Sequence, residues 1–182
     1  MARTITILDE AQRREFDRPP KFTYQQRKFF FTLPTWANAI RRDLLTAHTQ
    51  LGFILQVGYF KTTGRFFTPR HYPTADVDYV RKRWRLTGAD LERYDGATIG
   101  RHRLVILTNF SITPFDEGQR ERVVEQAAVY ARRQMNPAAV FRSTADYVRS
   151  HHIEIPTYAA LAGVVTQAFR QVETQMADQL RQ

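Results

Sequence analysis

The chain has 182 residues, 43% of them hydrophobic and 13% aromatic, enough to bury a core as one domain or two small ones. Twenty-seven Lys and Arg stand against 18 Asp and Glu, a net charge of +9, which attracts nucleic acid or an anionic surface and is silent about fold. Having no cysteine excludes disulfides, thiolate zinc sites and a cysteine nucleophile, and no stretch approaches the roughly 20 apolar residues of a membrane span.

The cations are overwhelmingly Arg, whose planar fork grips phosphate bidentately and stacks on bases, so the excess favours a nucleic acid over a lipid surface. The N-terminal run Met1–Glu10 has no apolar core long enough for a signal peptide, which together with the missing cysteines predicts a soluble cytosolic protein.

Helical signals then follow one another along the chain. Thr6 or Asp9 can cap a first helix whose Leu8, Ala11 and Phe16 share a face, and Arg18-Pro19-Pro20 ends it. Thr23 can cap a second, Tyr24 to Phe31; after the break at Leu33-Pro34, Trp36, Ile40 and Leu44 form the buried stripe of a third. A fourth begins at Thr46 with Leu51, Ile54, Leu55 and Gly58 on its inner face, and the loop Gly64-Arg65-Phe66-Phe67 lies beyond its end. Thr68 to Thr74 carries two prolines and no periodicity, so a connection and a module boundary are expected there.

Thr74 next caps a helix with Val77, Val80 and Trp84 inward and Arg81, Lys82, Arg83 and Arg85 outward. Thr87-Gly88 opens a short helix with Leu91 and Tyr94, and Ala97 to Phe110 forms another, in which Ile99, Leu104, Ile106 and Leu107 alternate with Arg101-His102-Arg103. Three short helices with tight turns, the third basic near its start, match the helix-turn-helix plan. Thr113-Pro114, Asn136-Pro137 and Ile155-Pro156-Thr157 open three longer helices reaching about Met135, His151 and Leu180. Their packing stripes are Val123, Ala127 and Tyr130, then Val140, Ala145 and Val148, then the small residues Ala159, Ala160, Ala162, Gly163 and Ala168. No convincing strand and no internal repeat is found, and an all-α fold is expected. It divides into a helical DNA-binding module over residues 1–70, a second helix-turn-helix-like module over 71–112, and a bundle of connecting helices over 113–182.

Candidate contacts follow from charge and position. Lys61 and Arg65 flank the turn at Gly64, where they can meet phosphates; the competing reading is a helix C-cap glycine followed by two core phenylalanines. Arg101, His102 and Arg103 sit in the early turns of a recognition-like helix, where Arg to guanine is the commonest specific pairing. Arg81 and Arg83 belong to a charge run that is most often a solvated face and, if it binds, positions the protein on phosphates. Metal and catalytic readings fail. His151 and His152 are adjacent and point about 100° apart on a helix, while Asp76 and Asp78 resemble a metal pair only superficially, Asp76 being placed to stabilise a helix dipole. No Gly-rich phosphate loop, nucleophile elbow or paired-carboxylate constellation is present, so no cofactor and no enzymatic activity are expected of this chain.

Several runs occur together in order: Phe30-Phe31-Thr32-Leu33-Pro34, then Leu55-Gln56-Val57-Gly58-Tyr59-Phe60-Lys61-Thr62-Thr63-Gly64-Arg65-Phe66-Phe67, then Asp76-Val77-Asp78-Tyr79-Val80, then Tyr94-Asp95 and Gly100-Arg101-His102-Arg103. In that combination, from about Leu8 to about Ile155, the chain resembles the N-terminal domain of transposases of the replicative Tn-three (class II) transposon family. The resemblance implies tandem helical modules that bind double-stranded DNA at the terminal inverted repeats, ahead of a distal RNase H-like catalytic domain. It also implies a bacterial, nucleoid-associated location without membrane attachment, leaves room for a homodimer formed through the transposase, and marks Lys61, Arg65, Arg101 and Arg103 as contacts. Ending at Arg181-Gln182, the chain departs from the many hundreds of residues of such transposases, and is expected to be an excised fragment, a degenerate copy or an independent DNA-binding protein that binds DNA without cutting it. The alternatives are a helical protein-interaction or oligomerisation module and a stand-alone regulator derived from the same domain.

Overall fold

A computed structural model describes residues 5–181; Met1 to Thr4 and Gln182, parts of the two terminal runs read above, lie outside the described residues. The described chain is all-α: α1 Glu10–Asp17, α2 Tyr24–Phe30, α3 Thr35–Asp43, α4 Ala47–Thr63, α5 Thr74–Trp84, α6 Gly96–Asn109, α7 Glu117–Arg133, α8 Pro137–Ser150 and α9 Tyr158–Leu180. Among the described residues the only extended pairing is one isolated parallel bridge, Thr113 to Ile153. Two compact units result: residues 18–112, and the described residues up to Asp17 together with those from Thr113.

The 18–112 unit is built around α4. Thr46 accepts the Thr49 N–H at its start, and Gly64 ends it in the left-handed conformation at φ 69°, where glycine carries no Cβ penalty. All ten residues from Leu51 to Phe60 are buried, so the single inner face expected from the sequence is replaced by burial all round. Leu51, Ile54, Leu55 and Tyr59 join a cluster with Phe22, Phe31, Val77 and Val80, while Phe53, Val57 and Phe60 join another with Ala37, Ile106 and Leu107. Trp36, Ile40 and Leu44 of α3 pack against the second cluster, half-buried around Ala37.

Two glycines let aromatic rings lie directly on α4. A Cβ at Gly52 would stand 2.3 Å from Cδ1 of Tyr94, and one at Gly58 would stand 2.3 Å from Cδ1 of Phe31. The carboxylate of Asp76, fully buried in the first turn of α5, accepts from Arg27 Nε of α2 and from the Tyr59 hydroxyl of α4, each at 2.6 Å. Burying that charge is tolerable because a guanidinium and a hydroxyl both satisfy it.

The sequence expectations shift here in four places. Tyr72, in the proline-bearing connection, is 7% exposed and shares a cluster with Phe22, Phe31 and Val77, so one core runs across residue 70 where a boundary was expected. Thr74 is the first residue of α5 and makes no side-chain cap bond; Pro73 precedes it. The short helix expected after Thr87-Gly88 is a single 3-10 turn, Leu91–Arg93, capped by Asp90. In α6, Leu104 is 51% exposed and the buried positions are Thr98, His102, Ile106 and Leu107, since a 3.6-residue turn brings position 102 to the face of 98 and 106.

The second unit is a bundle of α7, α8 and α9 with α1 docked on it. Its core joins Ile7, Leu8, Val123, Ala127, Val140, Phe141, Val148, Leu161, Val164, Val165 and Phe169, with Phe16, Tyr130 and Ala145 half-buried against it. Asp9 and Gln12 exchange capping-box hydrogen bonds at the start of α1, while Ala11, expected inward, is exposed. Asn136 caps α8 with Pro137 in its first turn, and Thr157 caps α9. Of the small residues expected to line α9, only Ala168 is buried; Ala159 and Ala160 face solvent and larger residues make the packing surface.

Candidate nucleic-acid interface

The two units differ sharply in charge. Residues 18–112 hold sixteen Lys and Arg against six Asp and Glu, whereas the rest of the chain holds eleven against twelve. The whole positive excess therefore resides in the unit that contains every candidate contact. Such an imbalance on one compact body gives it a field that attracts anions.

Some candidates are already engaged inside the unit. Lys61 Nζ donates to the carbonyls of Phe29 at 3.2 Å and Thr32 at 2.7 Å and lies 5.6 Å over the Phe29 ring, so it caps the end of α2; burial holds its pKa below the ordinary lysine value. Arg65 is 9% exposed with its guanidinium 5.2 Å over the Phe67 ring. Phe66 stacks on Phe60 at 4.6 Å and Phe67 is buried, so the aromatic pair of the glycine loop belongs to the core. Arg81 Nε donates to the Ala89 carbonyl at 2.9 Å and its terminal nitrogen pairs with Asp78 at 3.3 Å.

His102 is turned fully inward. It is 7% exposed, meets Phe53 edge-on at 5.0 Å and lies tilted on Tyr94 at 5.5 Å. The Tyr94 hydroxyl donates to Gln56 Oε1 at 3.0 Å and sits 2.7 Å from His102 Nδ1. Because a phenol has one hydrogen, Nδ1 is the donor to Tyr94, which fixes the neutral tautomer. Burial, reinforced by the Arg101 charge and opposed by Asp95, pushes the imidazole pKa down to about 4. A neutral ring held this way is engaged inside the unit and aligns α6 against α4.

What remains outward is a consistent face. Along α6, Ala97, Arg101, Leu104 and Thr108 are exposed on one face, Arg103 is half-buried about 160° around the helix from Arg101, and α6 contains no acidic residue. Asp95, just before it, is occupied as the helix cap, and the Thr98 N–H and hydroxyl hold its carboxyl below the usual range. Arg101 donates to Thr98 Oγ1 at 3.1 Å. On α5, Lys82, Arg83 and Arg85 are exposed, and Arg83 lies 5.6 Å over the Trp84 ring. Sequence reasoning passed over Arg41 and Arg42 at the end of α3; their adjacency was the available signal, but the aromatic surface beneath Arg41 comes from another helix.

Among the described residues, no group of three or more His, Asp or Glu is arranged to hold a metal ion, and no helix is long and apolar enough to cross a membrane. Residues 7–168 match a family described as "Domain of unknown function (DUF4158)", a span that includes all of the basic unit and most of the bundle. No curated protein matches the chain.

Proposed function

The chain belongs to the DUF4158 family, and within it we propose that residues 18–112 bind double-stranded DNA at the terminal inverted repeats of a transposon, docking a transposase of the replicative Tn-three type for DNA transposition. The observation that carries this reading is the segregation of charge: ten net positive charges fall on one compact unit and none on the other. The acid-free outer face of α6, with Arg101, Leu104 and Thr108 exposed, has the size and chemistry of a segment that reads base edges. The cations of α5 supply phosphate contacts that set its register. Catalysis is assigned to no residue of this chain.

Fluorescence anisotropy with a terminal inverted repeat and a scrambled duplex tests the proposal. With on the order of 5–8 phosphate contacts, affinity falls roughly a thousandfold or more between 50 and 200 mM salt. Arg101→Ala lowers affinity for the repeat more than for the scrambled duplex. An affinity indifferent to salt, or a chain that binds neither duplex, refutes the reading. A protein-interaction role for the bundle has one observation in its favour: Met176 and Leu180 are 54% and 89% exposed on the last turns of α9. A stable dimer lost on Met176→Lys supports that second role, and a strict monomer removes it.

A further inference from the structure

The structure assigns a second DNA contact to the corner where α3 and α5 end, and we propose that Arg41 and Arg83, both over the Trp84 ring, form with Arg42 beside Arg41 a phosphate clamp for the backbone of duplex DNA. The inference rests on the DNA-binding reading above and names a part of the surface that the sequence motifs did not. The Arg41 guanidinium lies 4.7 Å over the Trp84 ring and Arg83 lies 5.6 Å over it, so one indole gathers cations from two helices. Arg41 is held in place by Asn38 Oδ1 at 3.2 Å and Gln50 Oε1 at 3.1 Å, both neutral acceptors. Arg42, Lys82 and Arg85 stand exposed nearby in sequence.

Among the described residues, none of these five cations forms an ion pair with a carboxylate. Asp43 and His48 are the other titratable groups on the flanking segments of α3 and α4; Asp78 is taken by Arg81. Burial lowers the pKa of Arg41, and the neighbouring Arg42 charge adds to it in second place. Guanidiniums ordered by stacking on an aromatic face and left without carboxylates suit an anion that offers a pair of oxygens to the fork, and the phosphodiester is that anion in DNA. Exposed solvated arginines do not need an indole between them, whereas a clamp gains from having its forks oriented before binding.

A clamp of this kind touches no base, so it weakens all duplexes alike. The test is the slope of log affinity against log salt for the whole chain, compared with Arg42→Gln/Arg83→Gln and with Arg42→Gln alone. Both positions are exposed, and circular dichroism confirms that the variants keep their helices. The double variant is expected to bind with a slope shallower by about 2 and the single variant by about 1, on repeat and scrambled duplex equally. An unchanged slope in a double variant, while the parent chain binds DNA, overturns the clamp alone. Loss confined to the inverted repeat overturns the phosphate assignment. A parent chain that binds neither duplex overturns the clamp together with the DNA-binding reading.

Discussion

Acid should loosen the basic unit through one side chain, His102. Its folded-state pKa is about 4 against 6.5 for a free imidazole, so the unfolded chain takes up the proton first as pH falls. Stability is therefore fully present above pH 6.5, is lost progressively toward pH 4, and loses nothing more from this group below that. Two and a half pKa units correspond to at most roughly 3 kcal/mol, and solvent relaxation around a ring that keeps some water access reduces this to roughly 1–2 kcal/mol. For a unit of this size that is a drop of about 5–15 °C in melting temperature. Carboxylates also respond to acid, so the comparison is with His102→Asn, which keeps a polar group near Tyr94 but has no proton to gain. Thermal unfolding of both proteins followed at pH 7.5, 6.0 and 4.5, together with NMR titration of the imidazole, isolates the difference. The parent chain loses roughly 1–2 kcal/mol more than the variant across that range. Equal losses, or an imidazole titrating near 6.5, would refute the account of His102 as a neutral ring locked to Tyr94.

Further perturbations follow from the same geometry. Gly52→Ala drives a methyl into the Tyr94 ring at a nominal 2.3 Å and should cost about 1–3 kcal/mol, read by denaturant melts, while raising the His102 pKa as the ring pair separates. Asp76→Ala leaves the Arg27 guanidinium and the buried Tyr59 hydroxyl without their shared acceptor, a loss of roughly 3–5 kcal/mol in urea unfolding. Lys61→Ala removes the cap on α2 and should lower stability by about 1 kcal/mol or less while leaving the salt slope of DNA binding unchanged; a slope shallower by 1 would return Lys61 to the set of phosphate contacts.

Much of the fold was legible because its signals are local. Thr23, Thr46, Asn136 and Thr157 each accept a backbone N–H at a helix start, and a cap declares itself within three or four residues. The site was harder to read for the opposite reason. Arg101, His102 and Arg103 look equivalent as a basic triplet, yet successive residues on a helix point about 100° apart, and the triplet spreads over an exposed, a buried and a half-buried position. Lys61 looked like a loop cation, but Phe29 and the end of α2 that engage it come into range only after folding. The pairing of Arg41 with Trp84 spans two helices and leaves no mark in either local pattern. The membership of α1 in the bundle has no local trace at all.

That membership makes the basic unit an insertion, threaded between a helix and the bundle that completes it. The Asp17 carboxylate accepts the Tyr158 N–H, a closure over 141 residues. On a ribosome, α1 emerges before α8 and α9, the helices it packs against, while residues 18–112 already hold a complete core of their own. The basic unit is thus positioned to mature early and the bundle late, and a duplication or excision with breakpoints near residues 17 and 113 would move it as an intact cassette.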